Sequence, residues 1–221
     1  NHQYGWEWPS NLLWSETKFS PFGNYVIYST LDNKFLNSWD PEDLRKKWNV
    51  FTEYENRITG KIGKLPVSTP VQFSKWRDPA APTSVGHAND YPFLRYADVL
   101  LIHAESDARL NNGPTAAGIE SLNKIRRRAY GYPTTGISPK DYQVAGWNAE
   151  QYIDIILTER AYELFLEGKR WLDLKRTDKV KSTIMQNLGK EVKDVHLFWP
   201  IPQQEIDTNP LIASSDQNPG Y

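Results

Sequence analysis

Along the second half of the chain, apolar residues recur every three or four positions. Leu94, Ala97, Leu101, Ala104 and Ala108 keep that spacing behind Pro92, and Asn111-Asn112-Gly113-Pro114 ends it, so a helix is predicted between the two signals. A second helix, from Pro114 to about Tyr130, sets Leu122, Ile125 and Ala129 on one face. The connection is short, so the pair should lie antiparallel. Small residues (Ala97, Ala104, Ala108, Ala117, Gly118) would let the two approach closely, as in a tetratricopeptide-like pair. After a Gly/Pro/Ser-rich loop over 131–146, Asn148 and Gln151 form a capping box, with Trp147 and Tyr152 in staple positions. Ile153, Ile156, Leu157, Arg160, Ala161, Leu164, Phe165, Gly168, Trp171 and Leu172 then keep helical spacing for five turns, which predicts one long helix.

The first ninety residues behave differently. Over 1–40 neither helical nor strand periodicity is sustained, and Gly5, Pro9, Pro21 and Gly23 interrupt it, so this is read as ordered loop with a short strand at Tyr25-Val26-Ile27-Tyr28. Asp40-Pro41-Glu42-Asp43 has the chemistry of a helix start, and a short helix with Leu44, Trp48 and Phe51 should follow. Residues 56–91 are irregular, with a short strand at Val71-Gln72-Phe73, and 197–221, carrying four prolines, read as an extended tail. The expected fold is mainly α: a tetratricopeptide-like helix pair plus a long helix, extensive irregular loops and few short strands. We expect one integrated domain in which 1–90 is an aromatic-rich, ligand-binding segment and 91–221 a helical scaffold.

Composition narrows the function. The 26 Lys and Arg nearly balance 27 Asp and Glu, which lacks the basic excess that phosphate contacts need, so nucleic acid is not an expected partner. With no cysteine there is no disulfide framework, thiolate nucleophile or thiolate zinc site. The strongest apolar run, Val99-Leu100-Leu101-Ile102, is too short to span a bilayer. The sequence opens on Asn1 without a signal-peptide pattern, and is read as processed or as a piece of a larger protein.

Two charge patterns could carry chemistry. Glu159, Glu163 and Glu167 recur every four residues, a repulsive row unless cations answer it. A four-helix di-metal site would need Glu-x-x-His pairs, which are absent, so Arg160, Arg170 and the run Arg126-Arg127-Arg128 are the expected partners. The three arginines point in different directions on a helix and do not form one anion patch. No nucleophile elbow, metalloprotease helix, P-loop or dinucleotide fingerprint occurs, and we expect no catalysis, no metal and no cofactor.

The aromatic distribution is the remaining signal. Residues 1–40 hold ten of the chain's aromatics and only six charges. Trp6 and Trp8, two apart, would show their indoles on one side of an extended stretch, with Trp14 a short loop away. Flat rings in a charge-poor loop suit pyranoses, whose axial C–H groups stack on indole while amides such as Asn11 and Asn37 bond hydroxyls. The candidate glycan-binding residues are therefore Trp6, Trp8, Trp14, Trp39 and Asn11, each weighed against ordinary core filling. Trp48, Trp171 and Trp199 read as scaffold, and Trp76, between Lys75 and Arg77, as a cation-stacking or ligand residue.

The helical half also carries longer motifs. Tyr91 to Glu105 resembles the "P-x-x-R-x-A-E/D-x-L-L-x-x-A-E" helix of the SusD/RagB family of outer-membrane nutrient-binding lipoproteins, and Leu122 to Ala129 resembles its "L-N-x-I/V-R-x-R-A" helix. Glu159 to Arg176 is similar to its "E-R-x-x-E-L-x-x-E-G-x-R-x-x-D-L-x-R" signature, and Trp199 to Ile206, Asn209-Pro210 and Gln217 to Tyr221 to its C-terminus. The resemblance implies a helical, lipid-anchored protein on the outer surface of a Gram-negative cell, with an anchor in a segment absent from this chain. It further implies non-catalytic delivery of oligosaccharide or polysaccharide to a SusC-like TonB-dependent transporter, with the N-terminal part of the same protein as a further partner. In that family these motifs are scaffold and the ligand platform is built from variable loops, so they assign no binding residue. Two alternatives stay open: a peptide-binding member of the same transport system, and a glycosidase using acids such as Glu7 or Glu16.

Overall fold

A computed structural model describes residues 13–23, 27–84 and 86–221. The chain divides into two compact units, Asn1–Arg170 and Trp171–Tyr221. This division falls inside the helical half, whereas the change in composition falls near residue 90.

In the first unit, helices α1 (Lys34–Ser38) and α2 (Leu44–Asn49) precede four short strands, β1 (Val50–Phe51), β2 (Glu53–Glu55), β3 (Ile62–Lys64) and β4 (Gln72–Phe73). The strands make two separate antiparallel ladders, β1 with β4 through Val50 and Phe73, and β2 with β3 through Tyr54 and Gly63. Helix α2 begins later than the Asp40-Pro41 signal. Asp43 caps it, its Oδ1 accepting from the Arg45 amide at 2.8 Å, while Asp40 caps only the turn before it. Phe51 lies in β1, not in the helix. The strand expected at 25–28 lies partly outside the described residues.

Three longer helices follow: α3 (Tyr96–Leu110), α4 (Ala116–Ala129) and α5 (Ala149–Glu163). Helices α3 and α4 form the expected hairpin, and Ala97, Leu101, Ala104 and Ala108 pack with Ile119, Leu122 and Ile125, then with Tyr152 and Ile156 of α5. The alanines explain the close approach, since each buries without holding the helices apart. Asp98 and Arg160, both buried, join α3 to α5 at 2.7 Å. The 131–146 loop is stitched to α4 by side chains: Asn123 exchanges two hydrogen bonds with the Tyr142 backbone, and Arg127 is held by Asp141 and Glu120. The capping box of Asn148 and Gln151 is present as expected. A second core gathers Leu36, Trp39, Val71, Phe73 and Trp76, with Tyr162 and Phe165 against it.

Two helix boundaries differ from the periodicity. Helix α3 starts at Tyr96 instead of Pro92, because Arg95 is extended (φ −140°, ψ 161°) and reaches Glu163 and Glu167. The long helix is broken: α5 ends at Glu163, and Leu166 (φ +61°) and Gly168 (φ +69°) turn left-handed. Apolar spacing continues through the break, but tertiary donors capture the freed carbonyls. Lys75 Nζ donates to Phe165 O at 2.8 Å, Arg95 Nη2 to Glu163 O at 2.6 Å, and Tyr91 Oη to Glu167 O at 2.6 Å. A Cβ on Gly168 would meet that Tyr91 hydroxyl at 3.1 Å. Gly168→Ala should therefore lose about 1–2 kcal/mol. The thermal midpoint should fall by a few degrees, on the order of 2–4 °C per kcal/mol at this size. An unchanged midpoint would mean that the turn relaxes freely.

The second unit begins within α6 (Arg170–Arg176) and contains α7 (Val180–Leu188), which Gly189 closes in the left-handed region, and α8 (Gln203–Thr208). The terminal segment is thus not wholly extended. The Gln217 amide exchanges two hydrogen bonds with Ile201, the Asn218 amide donates to Trp199 O, and the Tyr221 hydroxyl donates to Val195 O and Phe198 O.

Candidate functional site

The proposed sugar-stacking residues separate on inspection. Trp6, Trp8 and Asn11 lie outside the described residues. Trp14 is half-buried beside Tyr54, with ring centroids 6.3 Å apart. Trp39 is fully buried. It stacks on Tyr162 at 4.8 Å, takes the edge of Phe165 at 5.5 Å, and donates its indole N–H to Asp43 Oδ2 at 2.9 Å. Both faces and the polar edge are thereby used, so Trp39 belongs to the core and offers no platform to a ligand. Glu16 accepts from the Tyr54 hydroxyl and the Asn56 amide, ties that hold the loop, and Glu7 lies outside the described residues.

The tryptophans read as scaffold are more exposed than that reading implies. Trp199 is 87% exposed and Trp171 is partly exposed. Trp48, near the end of α2, is 53% exposed because that helix is too short for its outer face to be covered. Arg77 lies 3.7 Å above the Trp48 ring and donates to its carbonyl. Trp76 is buried with Lys75 Nζ 5.8 Å from its ring, which favours the cation reading.

Trp48 and Trp76 line an open cleft of about 570 Å³ in the first unit, together with Asn49, Asn89, Arg95 and Arg128. Two members of the carboxylate row, Glu163 and Glu167, line its wall. Glu159, Glu163 and Glu167 are all buried. Glu159 pairs with Arg45 and Arg126, Glu163 with Arg45, Arg95 and Arg128, and Glu167 with Lys75 and Arg95. Cations do answer the row, but only Arg126 and Arg128 come from the run expected to do so. Arg160 turns to Asp98, and Arg170 donates to Leu157 O. Burial alone would push the Glu163 carboxyl up, yet Arg128, Arg45 and Arg95 hold it down at about 2. Burial also pulls the Lys75 ammonium below the ordinary lysine range, against the attraction of Glu167.

This hub is an ion-pair network. Among the described residues no group of three or more His, Asp or Glu side chains is placed to hold a metal ion. Among the same residues no helix is long and apolar enough to cross a membrane. Sequence reasoning treated Arg95, Glu163 and Glu167 as motif scaffold and did not see the cleft they line. The available signal was the unanswered part of the like-charge row, which calls for more cations than the adjacent arginine run can supply.

Residues 68–221 match the SusD family. SusD-like protein P25 of Formosa agariphila is 32% identical over 200 residues, covering 85% of this chain and 34% of that protein. The chain therefore spans about a third of the length of this curated relative. A solved SusD superfamily protein from Parabacteroides distasonis superposes with a TM-score of 0.70 at 24% identity, covering 97% of this chain and 47% of that one. A laminarin-binding SusD-like protein superposes at 0.55 with 23% identity, covering 86% and 37%. At these identities the structural likeness concerns the fold.

Proposed function

Since this chain belongs to the SusD family, we propose that it is part of a surface protein that binds oligo- or polysaccharide without chemistry and delivers it to a SusC-like TonB-dependent transporter. The family match over 68–221 carries the reading. The parent protein would sit on the outer membrane through a lipid anchor outside this chain, and the rest of that protein would complete the assembly. The charge-poor, aromatic opening supports a stacking platform, with Trp6, Trp8 and Trp14 as its rings and Asn11 as a hydroxyl partner. Trp39 is not included, because its faces are taken inside the core.

Affinity gel electrophoresis tests the assignment. The fold neighbour makes laminarin a sensible first polysaccharide, within a panel of neutral glucans and mannans. Retardation of the protein should be lost when Trp6, Trp8 and Trp14 are all changed to alanine, and retardation equal to that of the parent would sink the site. Calorimetry with peptides separates the peptide-binding alternative, and release of reducing sugar from a bound polysaccharide would overturn the non-catalytic reading.

A further inference from the structure

Arg128 is the cation that the hub leaves partly unused. Its side chain is 51% exposed, and only Nη2 is engaged, by Glu163 Oε1. Nε and Nη1 have no protein partner among the described residues. Arg95, by contrast, uses all three nitrogens on Glu163 and Glu167, and Lys75 is spent on Glu167 and two carbonyls. Around Arg128, Arg45, Lys75, Arg95 and Arg126 complete five cations against the four carboxylates of Asp43, Glu159, Glu163 and Glu167. The cleft wall therefore carries an uncompensated positive charge with guanidinium N–H donors still open, which suits an oxyanion.

A second observation concerns what else the ligand must carry. Asn49 is 4% exposed and lines the same cleft, and its Oδ1 has no hydrogen-bond partner. A buried acceptor without a donor is an unfavourable state that a ligand hydroxyl or N–H would relieve. Beside it, Trp48 has Arg77 over one face and remains 53% exposed. A simple inorganic anion would satisfy Arg128 and leave Asn49 and Trp48 idle, while a neutral sugar would do the reverse. A sugar ring bearing an acidic group satisfies all three.

We propose that this cleft is an acidic-sugar subsite. The carboxylate or sulfate of one sugar residue lies against the unengaged N–H donors of Arg128, a ring hydroxyl donates to Asn49 Oδ1, and an apolar ring face covers exposed Trp48. A cavity of about 570 Å³ accommodates a residue of that size with part of its neighbour. The subsite rests on the glycan-binding reading above but uses residues separate from Trp6, Trp8 and Trp14, and it adds the ligand's charge.

Calorimetry on the full-length protein tests it with four probes: an oligogalacturonate, a sulfated galactan oligosaccharide, a neutral laminarin oligosaccharide and hexaglutamate. At least one acidic oligosaccharide should bind roughly tenfold more tightly than the neutral one at low salt, and which one does so identifies carboxylate or sulfate. Arg128→Gln should remove that advantage, and Asn49→Leu and Trp48→Ala should each weaken acidic-sugar binding. Thermal melts within a few degrees of the parent confirm that the variants fold. An acidic advantage that survives Arg128→Gln would overturn the proposal. So would hexaglutamate binding as tightly as the acidic sugar and indifferent to Asn49→Leu, which would assign the cleft to an acidic protein segment. Binding of the neutral sugar alone would overturn the subsite and leave the proposed function standing, whereas binding of no oligosaccharide would overturn both.

Discussion

Glu163→Gln should destabilise the protein by about 3 kcal/mol at neutral pH, and by only about half as much at pH 3. Glu163 is buried between Arg45, Arg95 and Arg128, and an amide in its place leaves three guanidinium groups short of one negative charge. Removing one member of a buried ion pair typically costs about 3–5 kcal/mol, because the charges left behind stay desolvated. The pH dependence follows from the sign of the shift. The carboxyl is held at about 2 in the folded chain, against 4.5 when unperturbed. Its contribution is complete above the unfolded value and is lost as pH falls through the folded one. The gap between parent and variant should therefore close from pH 4.5 downward, towards zero near 2. Urea midpoints at pH 7 and pH 3 check this, and an equal gap at both would assign the cost to packing.

Trp39→Ala should be comparably damaging, at about 3–5 kcal/mol, a fall in the thermal midpoint on the order of 10 °C. The ring is fully buried against Tyr162 and Phe165, and its N–H binds the Asp43 carboxylate that caps α2 and holds Arg45. Should the alanine variant fail to fold, Trp39→Phe keeps most of the stacking and loses the indole hydrogen bond, for about 1–2 kcal/mol. Trp14, half-buried in a loop, should show the opposite profile: a smaller loss of stability and a larger loss of polysaccharide retardation. A Trp39→Ala midpoint equal to that of the parent would refute the core assignment.

The parts of the fold that were legible are those whose signals are local. The hairpin of α3 and α4 could be read because its core residues lie three or four apart and Asn111-Asn112-Gly113-Pro114 separates them. The capping box at Asn148 is equally local. The break after Glu163 was not legible, because Leu164, Phe165 and Trp171 continue the helical period while the donors that end the helix, Lys75, Arg95 and Tyr91, lie about 70–90 residues earlier. Helix α1 was missed for a different reason: its five residues are too few to establish any period. For the candidate site, composition showed where tryptophans gather but not which way they face. Local sequence sets Trp39 among the candidate ligand residues and Trp48 in the scaffold, whereas tertiary contacts put the first inside and the second at a cleft.

The separations within the charge hub bear on how the chain folds. Arg45, Lys75, Arg95 and Arg128 reach Glu163 across 118, 88, 68 and 35 residues. None of these contacts can form while the chain is still local, and closing such loops carries an entropic cost before any reward. The hub is thus expected to assemble late and to be lost early, and φ-values near zero at Glu163 would show it. In a chain without cysteine, it takes the place that a set of long-range crosslinks would hold, and it governs how slowly the structure opens more than how quickly it forms.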